Sequence, residues 1–173
     1  MTSVPWGRND SLFRKEAEEG HKWARLVAER LSALSVPSTT SPLEFAVDEA
    51  DRERFVNEQD VLLTNASGFI EVKSRRLAFT EEPSSYPFGT AFVDTATGWD
   101  KKHPKPLAVV LVSQFTSAML VVPVSTQSTW AITRSYDRVR QISERWYTVD
   151  SDLLRPFAEL VEWLKSRPQT KKE

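Results

Sequence analysis

The sequence predicts an α/β domain in which a mixed central β-sheet is flanked by helices. Three observations predict it. An apolar stripe at helical period opens the chain over residues 12–34, and a second closes it over residues 150–166. Between them, residues 107–113 (LAVVLVS) and 118–124 (AMLVVPV) are near-continuous apolar runs, the pattern of central strands covered on both faces. Helices at both ends of a set of strands form layers around one core. A length of 173 residues suits a single domain with room for that core.

The first helix is drawn by Phe13, Ala17, Gly20, Ala24, Val27, Leu31 and Leu34, which recur every three or four residues. Asn9, Asp10 and Ser11 are candidates for its N-cap. Residues 35–42, SVPSTTSP, read as a breaker-rich linker. Residues 43–47, LEFAV, are a short strand candidate. Residues 60–64, DVLLT, and 68–73, GFIEVK, flank the turn-forming residues Asn65, Ala66 and Ser67 and read as a β-hairpin. Residues 74–106 hold six prolines and glycines with little periodicity and read as a long insertion loop. QFTS, residues 114–117, is a tight turn between the two core strands. Residues 128–149 carry both strand and helix character. In the closing helix Leu153, Leu154, Phe157, Leu160, Val161 and Leu164 form the apolar face, with Asp150 to Asp152 as cap candidates, and RPQTKKE is a frayed tail.

Composition excludes several functions. There are no cysteines, which removes disulfides, thiol catalysis and cysteine-ligated zinc. No apolar run reaches membrane-spanning length, and the first ten residues lack the apolar core of a signal peptide, so a cytoplasmic location with no membrane partner is expected. A glycine-rich phosphate loop is also lacking, so a nucleotide-triphosphate motor is not expected. The net charge of −1 is not that of a uniformly basic nucleic-acid binder, but Arg75 with Arg76, and KKHPK at 101–105, are local basic clusters.

The chemistry concentrates in the hairpin. In a strand, residues two apart share a face, so Glu71 and Lys73 project side by side. A hairpin turning near residues 65–67 returns residue 71 or 72 to a position opposite Asp60. Two carboxylates so placed repel unless a cation lies between them. Mg²⁺ takes one or two carboxylates and leaves positions for water and phosphate oxygens. The backbone carbonyl of Val72 is a further oxygen at the same place. Lys73 then adjoins the nucleophilic water and the charge that builds on a reacting phosphate. The plain alternative is an exposed Glu–Lys pair contributing less than about 1 kcal/mol.

Asp60, ten intervening residues, then Glu71-Val72-Lys73 resembles the signature of the PD-(D/E)XK nuclease superfamily, in which an acid and a short hairpin precede Asp or Glu, any residue, and Lys. The resemblance is nearest to Holliday-junction-resolvase-like small endonucleases, which run similarly to IEVKSR (residues 70–75) and often carry a glutamate two residues before the aspartate, as Glu58 stands here. It covers residues 58–75. The resemblance implies a restriction-endonuclease-like fold and Mg²⁺- or Mn²⁺-dependent hydrolysis of DNA. Asp60, Glu71 and the Val72 carbonyl would bind metal, with Lys73 as the catalytic lysine. A homodimer, bringing one site to each strand, is a further expectation. Those branches also place a glutamate on the first helix, four residues after a glycine. Counting from Gly20 gives Ala24, so Glu19 and His21 are accessory candidates displaced from the expected position.

Further candidates are weaker. Arg75, Arg76, Lys101, Lys102 and Gln114 are candidate DNA contacts, with Ser113 beside Gln114 in what reads as a polar turn. Trp99 is the tryptophan placed to meet DNA, while Trp23, Trp146 and Trp163 read as core. Asp94 and Asp100, acids in the predicted loop, are candidates for further metal ligands, against solvation as the ordinary state of such residues. His21 and His103 share no metal-ligand spacing. A non-catalytic module binding nucleic acid or protein on the same fold is the competing reading.

Overall fold

A computed structural model describes residues 10–43, 59–138 and 141–168. Along the chain these form α1 (Asp10–Ala33), β1 (Ser38–Thr40), β2 (Val61–Leu63), β3 (Phe69–Arg75), β4 (Thr90–Thr95), α2 (Ala96–Lys101), β5 (Ala108–Ser113), β6 (Met119–Pro123), β7 (Ala131–Asp137), β8 (Ile142–Asp150), β9 (Arg155–Pro156) and α3 (Phe157–Ser166). The strands make a six-stranded sheet in the order β1-β2-β3-β5-β6-β9 and a three-stranded sheet in the order β4-β8-β7. Every pair in the larger sheet is antiparallel except β3 with β5, which is parallel.

Alternation along the central strands sorts the core into two layers. Ile70, Val110, Val112 and Val121 face the helices, meeting Trp23, Ala24, Val27 and Leu31 of α1 and Phe157, Leu160 and Val161 of α3. Val109, Leu111, Leu120 and Val122 face the other way, onto Ala91, Val93, Trp99 and Val149. All six residues of β5 are buried, as its unbroken apolar run requires. Each fully buried valine or leucine contributes roughly 1.5–3 kcal/mol.

The mixed α/β architecture is therefore as the sequence predicts, but four local readings differ. First, β1 lies inside the supposed linker, where Ser38, Thr39 and Thr40 pair with Leu63, Leu62 and Val61. The strand candidate at 43–47 falls outside the described residues apart from Leu43, as do Asn9 and residues 169–173 of the tail. Second, residues 74–106 are not one loop. They hold the end of β3, then β4 and α2, whose Ala91, Val93 and Trp99 are fully buried. Prolines 83, 87, 104 and 106 flank these elements rather than interrupt them. Third, the ambiguous stretch is the β7–β8 hairpin. Fourth, the last helix starts at Phe157. Pro156 disfavours helical backbone at Arg155, which extends instead into β9, and Asp150 caps a 3-10 turn by accepting the Asp152 N–H at 2.9 Å.

Gly68 sets the entry to β3. Its φ is 112°, and an added Cβ would lie 2.7 Å from Leu107 Cδ1, so only glycine fits where the hairpin turn passes the start of β5. Among the described residues, no helix is long and apolar enough to cross a membrane.

Candidate functional site

Strand β2 meets β3 with Val61 opposite Ile70 and Leu62 opposite Phe69. One step further along the same register sets Asp60 beside Glu71. Asp60 lies just before β2, and its Oδ2 accepts the backbone N–H of Val72 at 2.8 Å. The side chain thus replaces the next rung of the ladder, and β3 runs on past the end of β2.

The parallel register pairs Glu71 with Val109 and Lys73 with Leu111. Val109 and Leu111 face the smaller sheet, so Glu71 and Lys73 point there too. They meet two residues from the supposed loop. Asp94 lies in β4, immediately after an irregularity in its pairing with β8 between Phe92 and Asp94. Simple alternation would turn Val93 and Asp94 to opposite faces. The irregularity lets both be buried, at 0% and 6% exposure. Lys102 follows α2 as its C-cap.

Four side chains form a closed set of ion pairs. Lys73 Nζ lies 2.9 Å from Glu71 Oε1 and 3.5 Å from Asp94 Oδ1. Lys102 Nζ lies 2.6 Å from Asp94 Oδ2 and 3.4 Å from Glu71 Oε1. Asp94 Oδ1 also accepts the Thr95 N–H at 2.8 Å. With Asp60, three carboxylates face two ammonium groups, so one negative charge is in excess.

That excess falls on Asp60. Burial, and then the charge of Glu71, push its pKa up to about 7, against the Val72 N–H and the two lysines. Burial works against ionisation of Asp94 as well, yet Lys73 and Lys102 hold its pKa below the ordinary carboxylate value. Burial disfavours the Lys73 ammonium, but Glu71, Asp94 and Asp60 outweigh it and raise its pKa above that of an ordinary lysine. Lys73 is therefore a fixed cation, suited to holding an anion or orienting water rather than to taking up a proton.

The donor set fits a hard divalent cation in one limited sense. Asp60 and Glu71 supply carboxylate oxygens, the ligand type that Mg²⁺ takes with water completing its shell. Among the described residues, no group of three His, Cys, Asp or Glu side chains is arranged as a metal cage. Val72, the expected carbonyl donor, spends its N–H on Asp60.

Other predicted site residues land elsewhere. α1 packs on the opposite face of the sheet, with Ala24 buried against it. Glu19 and His21 therefore stand away from Glu71 and Lys73, and Glu19 accepts the Trp23 Nε1–H at 3.1 Å. Glu58 lies outside the described residues. Arg75 is not held ready for phosphate. Its guanidinium donates to the carbonyls of Phe92 at 2.8 Å and Ser74 at 3.1 Å, stitching β3 to β4. Lys102 belongs to the ion-pair set rather than to a surface cluster, whereas Lys101 and Arg76 are exposed. Gln114 donates to Ser74 Oγ at 3.0 Å, and Ser113 is fully buried, its hydroxyl donating to the Leu77 carbonyl. Trp99 is fully buried, edge-on to Trp130, and meets no solvent, while Trp163 is 45% exposed. Asp100 accepts the Tyr147 hydroxyl at 2.8 Å.

Sequence reasoning names Asp94 as a loop acid and Lys102 as a DNA contact but misses their pairing with Lys73 and Glu71. A faint signal existed in TAFVDT, where Ala91 and Val93 alternate as in a strand, followed by Thr95, which caps α2 by accepting the Gly98 N–H. No protein-family model, curated protein or solved structure matches the chain.

Proposed function

We propose that the chain is a Mg²⁺- or Mn²⁺-dependent DNA endonuclease. The observation that carries the reading is the convergence of Asp60, Glu71 and Lys73 on one stretch of β3, where Asp60 accepts the Val72 N–H and Lys73 pairs with Glu71. The resemblance to PD-(D/E)XK nucleases supplies the reaction. The order of one helix, three strands and, after β4 and α2, a strand parallel to the third is compatible with it. Asp60 and Glu71 hold the metal, which supplies charge stabilisation and an acidified water when bound. Lys73, kept protonated by its three acidic neighbours, faces the scissile phosphate and neutralises charge in the transition state. Asp94 and Lys102 hold Lys73 and Glu71 in register. A homodimer with one site per strand remains part of this reading.

The test is cleavage of plasmid, branched and single-stranded DNA with Mg²⁺, with Mn²⁺ and with chelator. Metal-dependent cleavage that falls at least about 100-fold in Lys73→Ala is the expected result. One observation favours a second reading, a non-catalytic module: Lys73 and Lys102 each pair with both Glu71 and Asp94, so ammonium groups already neutralise these two carboxylates. DNA binding without cleavage in either metal would favour that module.

A further inference from the structure

The β7–β8 hairpin is built unlike the rest of the molecule. Ala131, Ile132, Thr133, Arg134 and Tyr136 on one strand, and Ile142, Ser143 and Arg145 on the other, are exposed. Outer residues of the ribbon thus lack the packing that holds other strands, which leaves it free to meet something else. Its register places Ile132, Arg134 and Tyr136 opposite Tyr147, Arg145 and Ser143, so these six share one face. Arg134 and Arg145 stand directly across from each other, a like-charge pair that costs stability unless an anion joins it. Neither has a salt bridge among the described residues. Glu144, paired with Ser135, alternates to the opposite face. Residues 134–145 hold four arginines and two acids, in a chain whose net charge is −1. Ile132 is 46% and Tyr136 59% exposed on either side of the arginine pair.

The base of this face is anchored next to the candidate site. Tyr147 donates its hydroxyl to Asp100 of α2 at 2.8 Å, two residues before Lys102, which pairs with Glu71 and Asp94. From Tyr147 the strand runs outward to Arg145, a rise of roughly 6.6 Å.

We propose that the β7–β8 ribbon is a duplex-DNA-binding arm, with Arg134 and Arg145 closing on backbone phosphates. The occupant follows from the shape and charge. A two-stranded β-ribbon fits the major groove of B-form DNA, and two guanidinium groups set directly across from each other complement phosphate oxygens. The inference deepens the endonuclease reading and rests on it for the choice of DNA as the anion.

The experiment measures binding to a labelled duplex of about 30 base pairs across a salt series, in chelator so that no cleavage intervenes. Arg134→Ala/Arg145→Ala is expected to weaken binding roughly 10- to 100-fold near 0.1 M salt and to flatten the log–log salt slope by about two. Arg134→Glu replaces the like pair by an opposite pair, so its melting temperature should be no lower than that of the parent chain while its DNA binding still falls. Unchanged affinity and slope in both variants overturns the arm. So does a parent chain that binds no duplex, or a variant that loses self-association while DNA binding is untouched, which would make the ribbon a contact between copies. The two readings separate cleanly. Metal-dependent cleavage by the parent, with variant binding unchanged, sinks the arm alone. Ribbon-dependent binding by a parent that cleaves nothing supports the arm and sinks the endonuclease.

Discussion

The two faces of β3 obey different rules. Toward the helices, Ile70 and Val72 join an apolar layer with α1 and α3. Toward the smaller sheet, Glu71 emerges buried from the same strand, with Lys73 and Arg75 half-buried beside it. The first face is the inexpensive arrangement, since buried carbon asks only for fit. The second needs two lysines from different segments, a strand irregularity, and a side chain in place of a ladder rung. Burying ions in this way rarely raises stability above what packed hydrocarbon gives. The contrast teaches that the helical face accounts for folding and that the charged face needs a functional explanation.

Three measurements break or sharpen that contrast. The largest effect belongs to the apolar face, where Ile70→Ala should cost about 2–5 kcal/mol in urea denaturation and leave the charge set intact. A loss below about 1 kcal/mol would mean the helical layer is not what holds the sheet. On the charged face, Lys102→Met leaves Glu71 and Asp94 sharing one ammonium group, and about 2 kcal/mol should be lost in metal-free buffer. Millimolar Mg²⁺ should restore part of that melting temperature, and equal melting with and without Mg²⁺ would count against a cation at this face.

The smallest effect is a pH slope. Folded Asp60 keeps its proton up to about pH 7, whereas the unfolded residue releases it near 3.8. Between those values the folded state binds more protons, so the stability contributed by this group is present at low pH and lost as pH rises toward 7. From pH 6 to 7 the change is below about 1 kcal/mol. Asp60→Asn should flatten it, read as melting temperature against pH, and an unaltered slope would show that Asp60 titrates normally.

How much was legible in the sequence follows from how local each signal is. The β2–β3 hairpin and the opposition of Asp60 to Glu71 depend on counting through one short turn, and the register is as counted. α1, β5 and β6 announce themselves by unbroken periodicity or apolar content. β1 does not, because three polar residues at a sheet edge carry no apolar pattern. β4 hides for a different reason, its alternation being broken after Phe92. β7 and the outer part of β8 are ambiguous because a ribbon exposed there on both sides has no dry face to mark, and only the end of β8, at Thr148 and Val149, is buried. Lys102 was visible only as one of several lysines. Its partners lie eight residues back in sequence, at Asp94, and in β3 across the crossover, at Glu71, and such pairings have no signature in a single chain.

The parallel pairing of β3 with β5 also sets an order of assembly. Asp60, Glu71 and Lys73 arrive together on a hairpin that closes locally and fast. Asp94 and Lys102 join only when the whole crossover has docked, a long-range event that folds slowly. The hairpin therefore emerges first with Lys73 as the one cation beside its two acids, and the last stretch to settle is the one that supplies Asp94 and the second lysine. A half-made chain is thereby expected to carry the acids without their completed surroundings, so that competence at this cluster coincides with completion of the fold.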